Sequence, residues 1–318
     1  MVAMRARRES QPGWARAKAI FRRVFDGPDV EIGHVSKIGA GLNHDVFAAP
    51  VRVPSDPERS DAYVVSLPRD DEDPDDDVDT RTRREFALLR MLPREALPLR
   101  IPTAVAIVEE GDRPVLVRSY VGGISVDFRA ARYPAAKPWQ AVAQVATSLH
   151  AIEAARLHQA SWGHATRRAH AVAELSAFEG LGAEVRDARD WAEAHLPPDT
   201  PASLVHGDLL GQNILVAPDE MPGVLDWEYA TTGDPAYDLA IVTRGSRRPF
   251  QIADGFARLL AAYAEHGGQV TAAEVHIHEL CMVAGWYKLA VAGKTRREPP
   301  EQVLARLLGI LARARAST

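Results

Sequence analysis

The stretch from Ser203 to Glu228 constrains this chain most, because it frames polar residues between short apolar runs at fixed distances. Ser203-Leu204-Val205 leads into His206-Gly207-Asp208. Ile214-Leu215-Val216 leaves the polar stretch, and Gly223-Val224-Leu225 returns after the turn signal Ala217-Pro218-Asp219-Glu220. Such runs, bounded by Gly, Pro and Asp, read as strands pairing back on one another. Asp208, Asn213 and Asp226 then fall at strand ends, at relative positions 0, +5 and +18. Asp and Asn are common in turns, and His-Gly-Asp alone carries little. Strands on both sides change that, since a rigid scaffold can aim the polar groups.

The chemistry of that set is specific. Asp208 can orient a hydroxyl and accept its proton. Asn213, across a tight loop, and Asp226, at the end of the next strand, offer oxygen ligands to a hard cation. Mg²⁺ suits them, because it takes few protein ligands and keeps its waters.

The 318 residues are enough for two lobes with cores of their own, and 46% hydrophobic with 25% charged residues is ordinary for a globular protein. A net charge of −5 argues against nucleic-acid binding through a basic surface. The one cysteine, Cys281, lies in an apolar helical stretch. It allows no disulfide within the chain, fits a reducing cytosol and reads as a buried small hydrophobe. No apolar run reaches membrane-spanning length. Met1 to Arg23 is Arg-rich without the apolar centre of a signal peptide, and Trp14, Ala17, Ile20, Phe21 and Val24 suggest an amphipathic helix.

Residues 28–68 alternate like strands: Val30 to Ile32, His34 to Ile38 and Tyr63 to Leu67, the last ended by Pro68. Gly39 to Phe47 reads as a glycine-containing turn, in which Gly39 and Gly41 would let backbone amides approach phosphates. Residues 70–79 carry eight acids in ten positions, which favours a solvated loop. A helix over Thr80 to Leu92 follows and carries Glu85. Val105 to Val108 and Pro114 to Arg118 form a hairpin, and Ser119-Tyr120-Val121-Gly122-Gly123 breaks the pattern. Helices are expected over Trp139 to His150, within Val172 to His195, and at about 254–266, 271–292 and 300–315.

The runs Leu204 to Val216 and Gly223 to Ala240 closely resemble the catalytic segments of the aminoglycoside phosphotransferase family, which includes macrolide, choline and homoserine kinases. They contain HGDxxxxN and D-W-E…G-D-P…D-L-A without a gap. The order and spacing of Asp208, Asn213 and Asp226 are those of a kinase catalytic loop and its metal-binding Asp. The resemblance extends more weakly over about residues 30–300, and it implies an α+β, bilobal, protein-kinase-like fold. Residues 1–118 would be the nucleotide-binding lobe with its leading helix, 119–123 the hinge, and 124–318 the helical lobe with the catalytic loop and acceptor site. Asp208 would be the base, with Asn213 and Asp226 as Mg²⁺ ligands. Asp238 and His206 would support the loop, and Glu85 would be the helix acid. The backbone of Ser119 to Val121 would meet the adenine of ATP, or the base of GTP.

One position departs from the family. Its third strand carries Lys or Arg, to grip nucleotide phosphates and pair with the helix acid, at the register where this chain has Ser66. Arg69 reaching back, or Lys37 or another cation on a neighbouring strand, would restore the charge. Otherwise nucleotide binding would be weak or unusual.

Other polar residues have plainer readings. His44, His150, His158, His164, His170, His276 and His278 suggest surface or supporting roles, not a metal centre. Asp234, Asp254, Glu265, Glu274 and Glu279 lie in the helical lobe that would hold the acceptor, where acidic clusters would favour a polycation. Trp286, Tyr287 and Tyr263 have the helical spacing of core, and Thr243 to Phe250 forms a basic loop.

The chain is thus expected to be a cytoplasmic small-molecule kinase, monomeric or homodimeric. It would act on a hydroxyl of an antibiotic-like acceptor, without nucleic acid or membrane. The alternatives are a metabolite kinase, a nucleotide-binding module without transfer activity, and a nucleotidyltransferase.

Overall fold

The computed structural model describes residues 12–40, 44–52, 62–69, 77–92, 97–129, 137–157, 163–218, 220–295 and 298–317. The chain divides into two compact units. One comprises Met1–Ala96 with Ile101–Val121, the other Leu97–Arg100 with Gly122–Thr318.

The first unit is an antiparallel sheet between two helices. Its strands are β1 (Glu31–Ile32), β2 (Ser36–Ala40), β3 (His44–Arg52), β4 (Ala62–Pro68), β5 (Ala104–Glu110) and β6 (Arg113–Ser119). They run in the order β1-β3-β4-β6-β5, with β2 also on β3. Alternation sorts β4 between the two faces. Tyr63, Val65 and Leu67 join Phe47, Ala49 and Val51 under helix α1 (Gly13–Val24), whose Ala17, Ile20 and Phe21 are spaced to bury one stripe. Arg16 fixes this helix by donating a fork of hydrogen bonds to Glu110, at 2.9 and 2.7 Å. Helix α2 (Val78–Met91) starts where the Asp77 carboxylate accepts the Thr80 N–H at 3.3 Å. It buries Val78, Thr82, Glu85, Leu88 and Leu89 and packs on β5 and β6.

Strand β3 was not legible as a strand. Residues 44–47 read as part of a turn, yet the strand runs through them and on past Pro50. Proline offers only a carbonyl there, and that carbonyl accepts the Gly33 N–H at 2.9 Å. Gly39 is likewise a strand residue, paired with Val46, not part of the turn. Gly41 and most of the acidic run lie outside the described residues.

The second unit is mainly helical. Its helices are α3 (Pro138–His150), α4 (Arg167–Glu174), α5 (Arg186–Ala194), α6 (Pro235–Thr243), α7 (Gly255–Glu265), α8 (Ala272–Val291) and α9 (Pro300–Ala316). Helix α8 runs through the core. Its Ile277, Leu280, Val283 and Ala284 pack with Leu307, Ile310 and Leu311 of α9 and with Trp191 of α5. Cys281 is buried in the same cluster, and burial pushes its thiol up. A capping box of Thr271 and Glu274 starts α8. Helix α6 was not read from the sequence, although Asp234 as N-cap and Pro235 as first residue are its signal. Short strands lie among the helices: β7 (Ile124–Ser125), β8 (Ser203–Val205), β9 (Ile214–Val216), β10 (Gly223–Val224) and β11 (Thr231–Gly233). They pair as β10-β9-β7 and β11-β8. Among the described residues, no helix is long and apolar enough to cross a membrane.

Candidate active site

Strand β8 ends at Val205, and the chain enters a loop whose backbone is tied down from below. Asp238, on α6, accepts the His206 N–H at Oδ2 and the Gly207 N–H at Oδ1, both at 2.8 Å. His150 Nε2 lies 3.1 Å from Oδ2, and His150 Nδ1 lies 2.8 Å from the Tyr263 hydroxyl. Asp238 is fully buried. Burial alone would raise its pKa, but the bonds from His150 and the His206 amide hold it below the ordinary carboxylate value. His206 Nε2 donates to the Leu225 carbonyl at 2.9 Å, while its Nδ1 accepts the Asp208 N–H at 3.3 Å. One imidazole therefore connects the loop to the segment that carries Asp226.

Gly207 has φ +78, and a Cβ there would sit 2.4 Å from the Tyr229 carbonyl oxygen. No other residue fits without moving backbone. This turn delivers Asp208 half-buried beside Asn213. The Asn213 amide nitrogen donates to the Asp208 backbone oxygen at 2.8 Å and to Oδ2 at 2.9 Å. Both partners are acceptors, so the Asn213 amide orientation follows from the network. With the nitrogen so engaged, the amide oxygen Oδ1 is the Asn213 atom that could serve a cation. Asp226, at φ 66, turns left-handed just after Leu225, whose N–H donates to the Asn213 carbonyl at 2.9 Å. Asp tolerates that conformation better than most residues.

Burial raises the Asp208 pKa, and the nearby Asp226 charge raises it further. His206, the Asn213 bond and Arg244 oppose the shift. A carboxylate pushed upward is a better proton acceptor, and the paired negative charge attracts a cation. The Asp226 carboxylate and the Asn213 amide oxygen are hard oxygen donors, the chemistry that Mg²⁺ takes. The structure thus brings together Asp208, Asn213, Asp226, His206 and Asp238.

In the first unit, the Ser119 N–H donates to the Thr103 carbonyl at 2.9 Å and the Tyr120 N–H to the Ala62 carbonyl at 3.0 Å. Among the described residues, the Val121 N–H makes no hydrogen bond, so it is the donor of this trio available to a ligand. Gly39 is exposed in β2, and Arg69 directly follows β4. Ser66 pairs with Val46, and Val64, two residues earlier on the same face, pairs with Arg118. Glu85 meets Arg118, with Arg118 Nη1 donating to Oε1 at 3.2 Å. Lys37 pairs with Phe47 on the opposite face and forms an ion pair with Asp45 at 2.9 Å, so it does not replace the missing cation. The sequence reading missed Arg118, although a charged residue ending the apolar run Val115 to Val117 was its signal.

The acids once candidates for a cation-binding surface have partners. Asp234 and Glu274 both accept from Arg167, at 2.8 Å each. Glu279 meets Thr243 and His276. Asp254 accepts from Arg258, and Glu265 from Gln140. Of the surface and supporting roles open to the histidines, His150, His170, His276 and His278 take the supporting one, buried and hydrogen-bonded. His276 and His278 have separate partners, Glu279 and Asp234. Tyr263 and Tyr287 are buried as their spacing suggested, and Trp286 packs partly buried against the same core as Tyr287. His158 lies outside the described residues.

A sheet-rich unit, a helical unit and a loop of this form define the protein-kinase-like class of α+β folds. A family model described as "Phosphotransferase enzyme family" matches residues 51–276, and the chain belongs to that family. A homoserine kinase of Methylobacterium radiotolerans is 29% identical over 151 residues, which are 45% of each chain. The chain therefore spans about half the length of the curated relatives it matches. The macrolide 2′-phosphotransferase of Brachybacterium faecium superposes with a TM-score of 0.61 at 23% identity, covering 93% of this chain and 98% of the other. The aminoglycoside phosphotransferase APH(2″)-IIa, solved as a streptomycin–ATP ternary complex, does so at 0.62 and 18% identity, covering 96% and 99%. At these identities the structural likeness is one of fold.

Proposed function

We propose that the chain transfers the γ-phosphoryl group of ATP, or of GTP, to a hydroxyl of a small molecule. The observation that carries this reading is Asp208, raised in pKa, fixed by Asn213 and flanked by Asp226. Asp208 orients the acceptor hydroxyl and takes its proton as the oxygen bonds to the γ-phosphorus. The bond from that phosphorus to the bridging oxygen breaks, and the nucleoside diphosphate leaves. Asn213 and Asp226 would hold Mg²⁺, which supplies charge neutralisation at the phosphates. Asp238 and His206 keep the loop in shape. Residues 1–118 serve as the nucleotide lobe, with Gly39, Ser66, Arg69 and Glu85 toward the phosphates and 119–123 as the hinge, where the backbone of Ser119 to Val121 meets the base. The helical part from 124 onward takes the acceptor.

The relatives support two acceptor classes. An antibiotic-like amino sugar or macrolide is supported by the structural neighbours, whose folds match over nearly the whole chain. A second reading, a metabolite kinase, is favoured by the homoserine kinase relatives and by the pairing of Asp234, Glu274 and Glu279. Those acids are buried and already hydrogen-bonded, so they offer no open surface to a polycation. Arg244, exposed and close enough to bias Asp208, suits an acceptor with an anionic group instead.

The test is mass spectrometry of aminoglycosides, macrolides, amino alcohols and homoserine after incubation with the protein, Mg²⁺ and ATP or GTP. The expected product is heavier by one phosphoryl group and names the acceptor class. A nucleotidyl-sized increment would replace the proposal with nucleotidyl transfer.

A further inference from the structure

The first unit holds a charged pair that its architecture does not require. Arg118 and Glu85 are 13% and 8% exposed at their side chains and meet at 3.2 Å. A buried pair of this kind rarely adds stability over apolar residues of the same volume, because both ions lose water. Its flanking positions are apolar: Val64, Leu88 and Leu116 are buried around this part of the sheet and α2. The site therefore keeps a cation where Leu or Met would pack at less cost.

The placement of Arg118 suggests why. Val64 and Arg118 are cross-strand partners, so their side chains leave the same face of the sheet. Ser66, two residues beyond Val64 in β4, shares that face by alternation. Arg118 is also the last residue before Ser119 to Val121, where the free Val121 N–H lies. A guanidinium has five N–H donors, and Arg118 uses one of them on Glu85. Among the described residues no second partner takes the others, and the side chain keeps 13% exposure. Glu85 thus fixes the head at one edge and leaves a planar, permanently charged fork for a second partner. Guanidinium forks of this form suit phosphate oxygens.

We propose that Arg118 is the phosphate-binding cation of the nucleotide lobe, held in position by Glu85, and that it replaces the charge absent at Ser66. The proposal rests on the kinase reading above. Arg118 acts by direct contact with nucleotide phosphate, and Glu85 is a positioning residue.

Calorimetric titration of the full chain with Mg²⁺ and ATP, ADP or adenosine tests it, with turnover measured in parallel. Arg118→Met is expected to weaken ATP at least tenfold, ADP less, and adenosine hardly at all. Arg118→Lys keeps most of the affinity, since it keeps the charge. Glu85→Gln lowers kcat more than it raises the KM for ATP, because the fork is then present but free to swing. The double variant Ser66→Lys, Arg118→Met returns the charge to the same face and recovers part of the loss. Unchanged ATP binding in Arg118→Met, or equal losses for ATP and adenosine, would overturn the assignment in favour of a packing role. Should Arg118→Met fold poorly, the comparison of ATP with adenosine in Arg118→Lys and in Ser66→Lys decides instead. No ATP binding by the unaltered chain would overturn the kinase reading itself, which is a different result.

Discussion

The Asn213 side-chain amide donates to both the backbone oxygen and the carboxylate of Asp208, at 2.8 and 2.9 Å. One residue thereby sets the conformation of the loop and the direction of its acid. Asn213→Ala is expected to lower kcat by roughly 10²-fold, as misplacing a reacting group by about 1 Å does. It should also weaken the dependence of nucleotide binding on Mg²⁺. Steady-state rates and a Mg²⁺ titration of nucleotide affinity check both effects. A variant with full kcat would separate Asn213 from the orientation of Asp208.

Asp226 is assigned a purely electrostatic and ligating part. Asp226→Ala should remove the Mg²⁺ dependence of nucleotide binding while leaving the fold intact by circular dichroism. An unchanged Mg²⁺ titration in that variant would refute the assignment.

Asp238 accepts two backbone N–H groups and faces His150 with no exposure to water. Truncating it leaves several buried groups without partners. Asp238→Ala should cost about 3–5 kcal/mol of stability, the usual effect of breaking a buried pair from one side. Asp238→Asn, which keeps an acceptor oxygen, should cost less. Urea unfolding midpoints give the comparison, and equal losses would mean that the charge itself is what counts.

Acid stability should fall in two windows. Burial, with His278 and His164 nearby, lowers the His170 pKa to about 3 from 6.5. Its Nδ1 accepts the Asp234 N–H at 2.9 Å, which requires the neutral ring. Below pH 6.5 the unfolded chain binds a proton that the native ring refuses, so stability declines as pH falls from 6.5 to about 3. Burial would raise Asp234, but His278 and Arg167 together depress it to about 2 from 3.8. Its contribution is whole above 3.8 and is lost as pH falls through about 2. Unfolding midpoints measured from pH 7 to 4 should show a slope of up to roughly 1.4 kcal/mol per pH unit from one such group. His170→Gln should flatten it. A slope unchanged in that variant would exclude His170 as its source.

The helical unit was legible where sequence pattern and local chemistry agreed. Trp139 to His150 and the long helices after residue 250 follow apolar periodicity, and the catalytic strands follow from their punctuation. Helix α6 escaped because its residues are apolar on nearly every side, which removes the periodic signal. Strand β3 escaped because its first residues, 44–47, follow two glycines closely and read with them as one turn. The loop residues Asp208, Asn213 and Asp226 were visible because their spacing is local. The His150 and Tyr263 supports of Asp238 and the Arg118–Glu85 pair were not, because each joins residues at least 33 apart in sequence. Nothing along one chain marks such pairs before the fold brings them together.

The central claim is that Asp208 is the base of a γ-phosphoryl transfer. It is tested most directly by incubating the acceptor found in the panel with γ-labelled or α-labelled ATP, using the unaltered chain and Asp208→Asn side by side. The account expects label on the acceptor from the γ position alone, and a fall in rate of roughly 10²–10⁴-fold in the variant, with ATP affinity nearly unchanged. Label arriving from the α position, or a variant that transfers at the original rate, would contradict it.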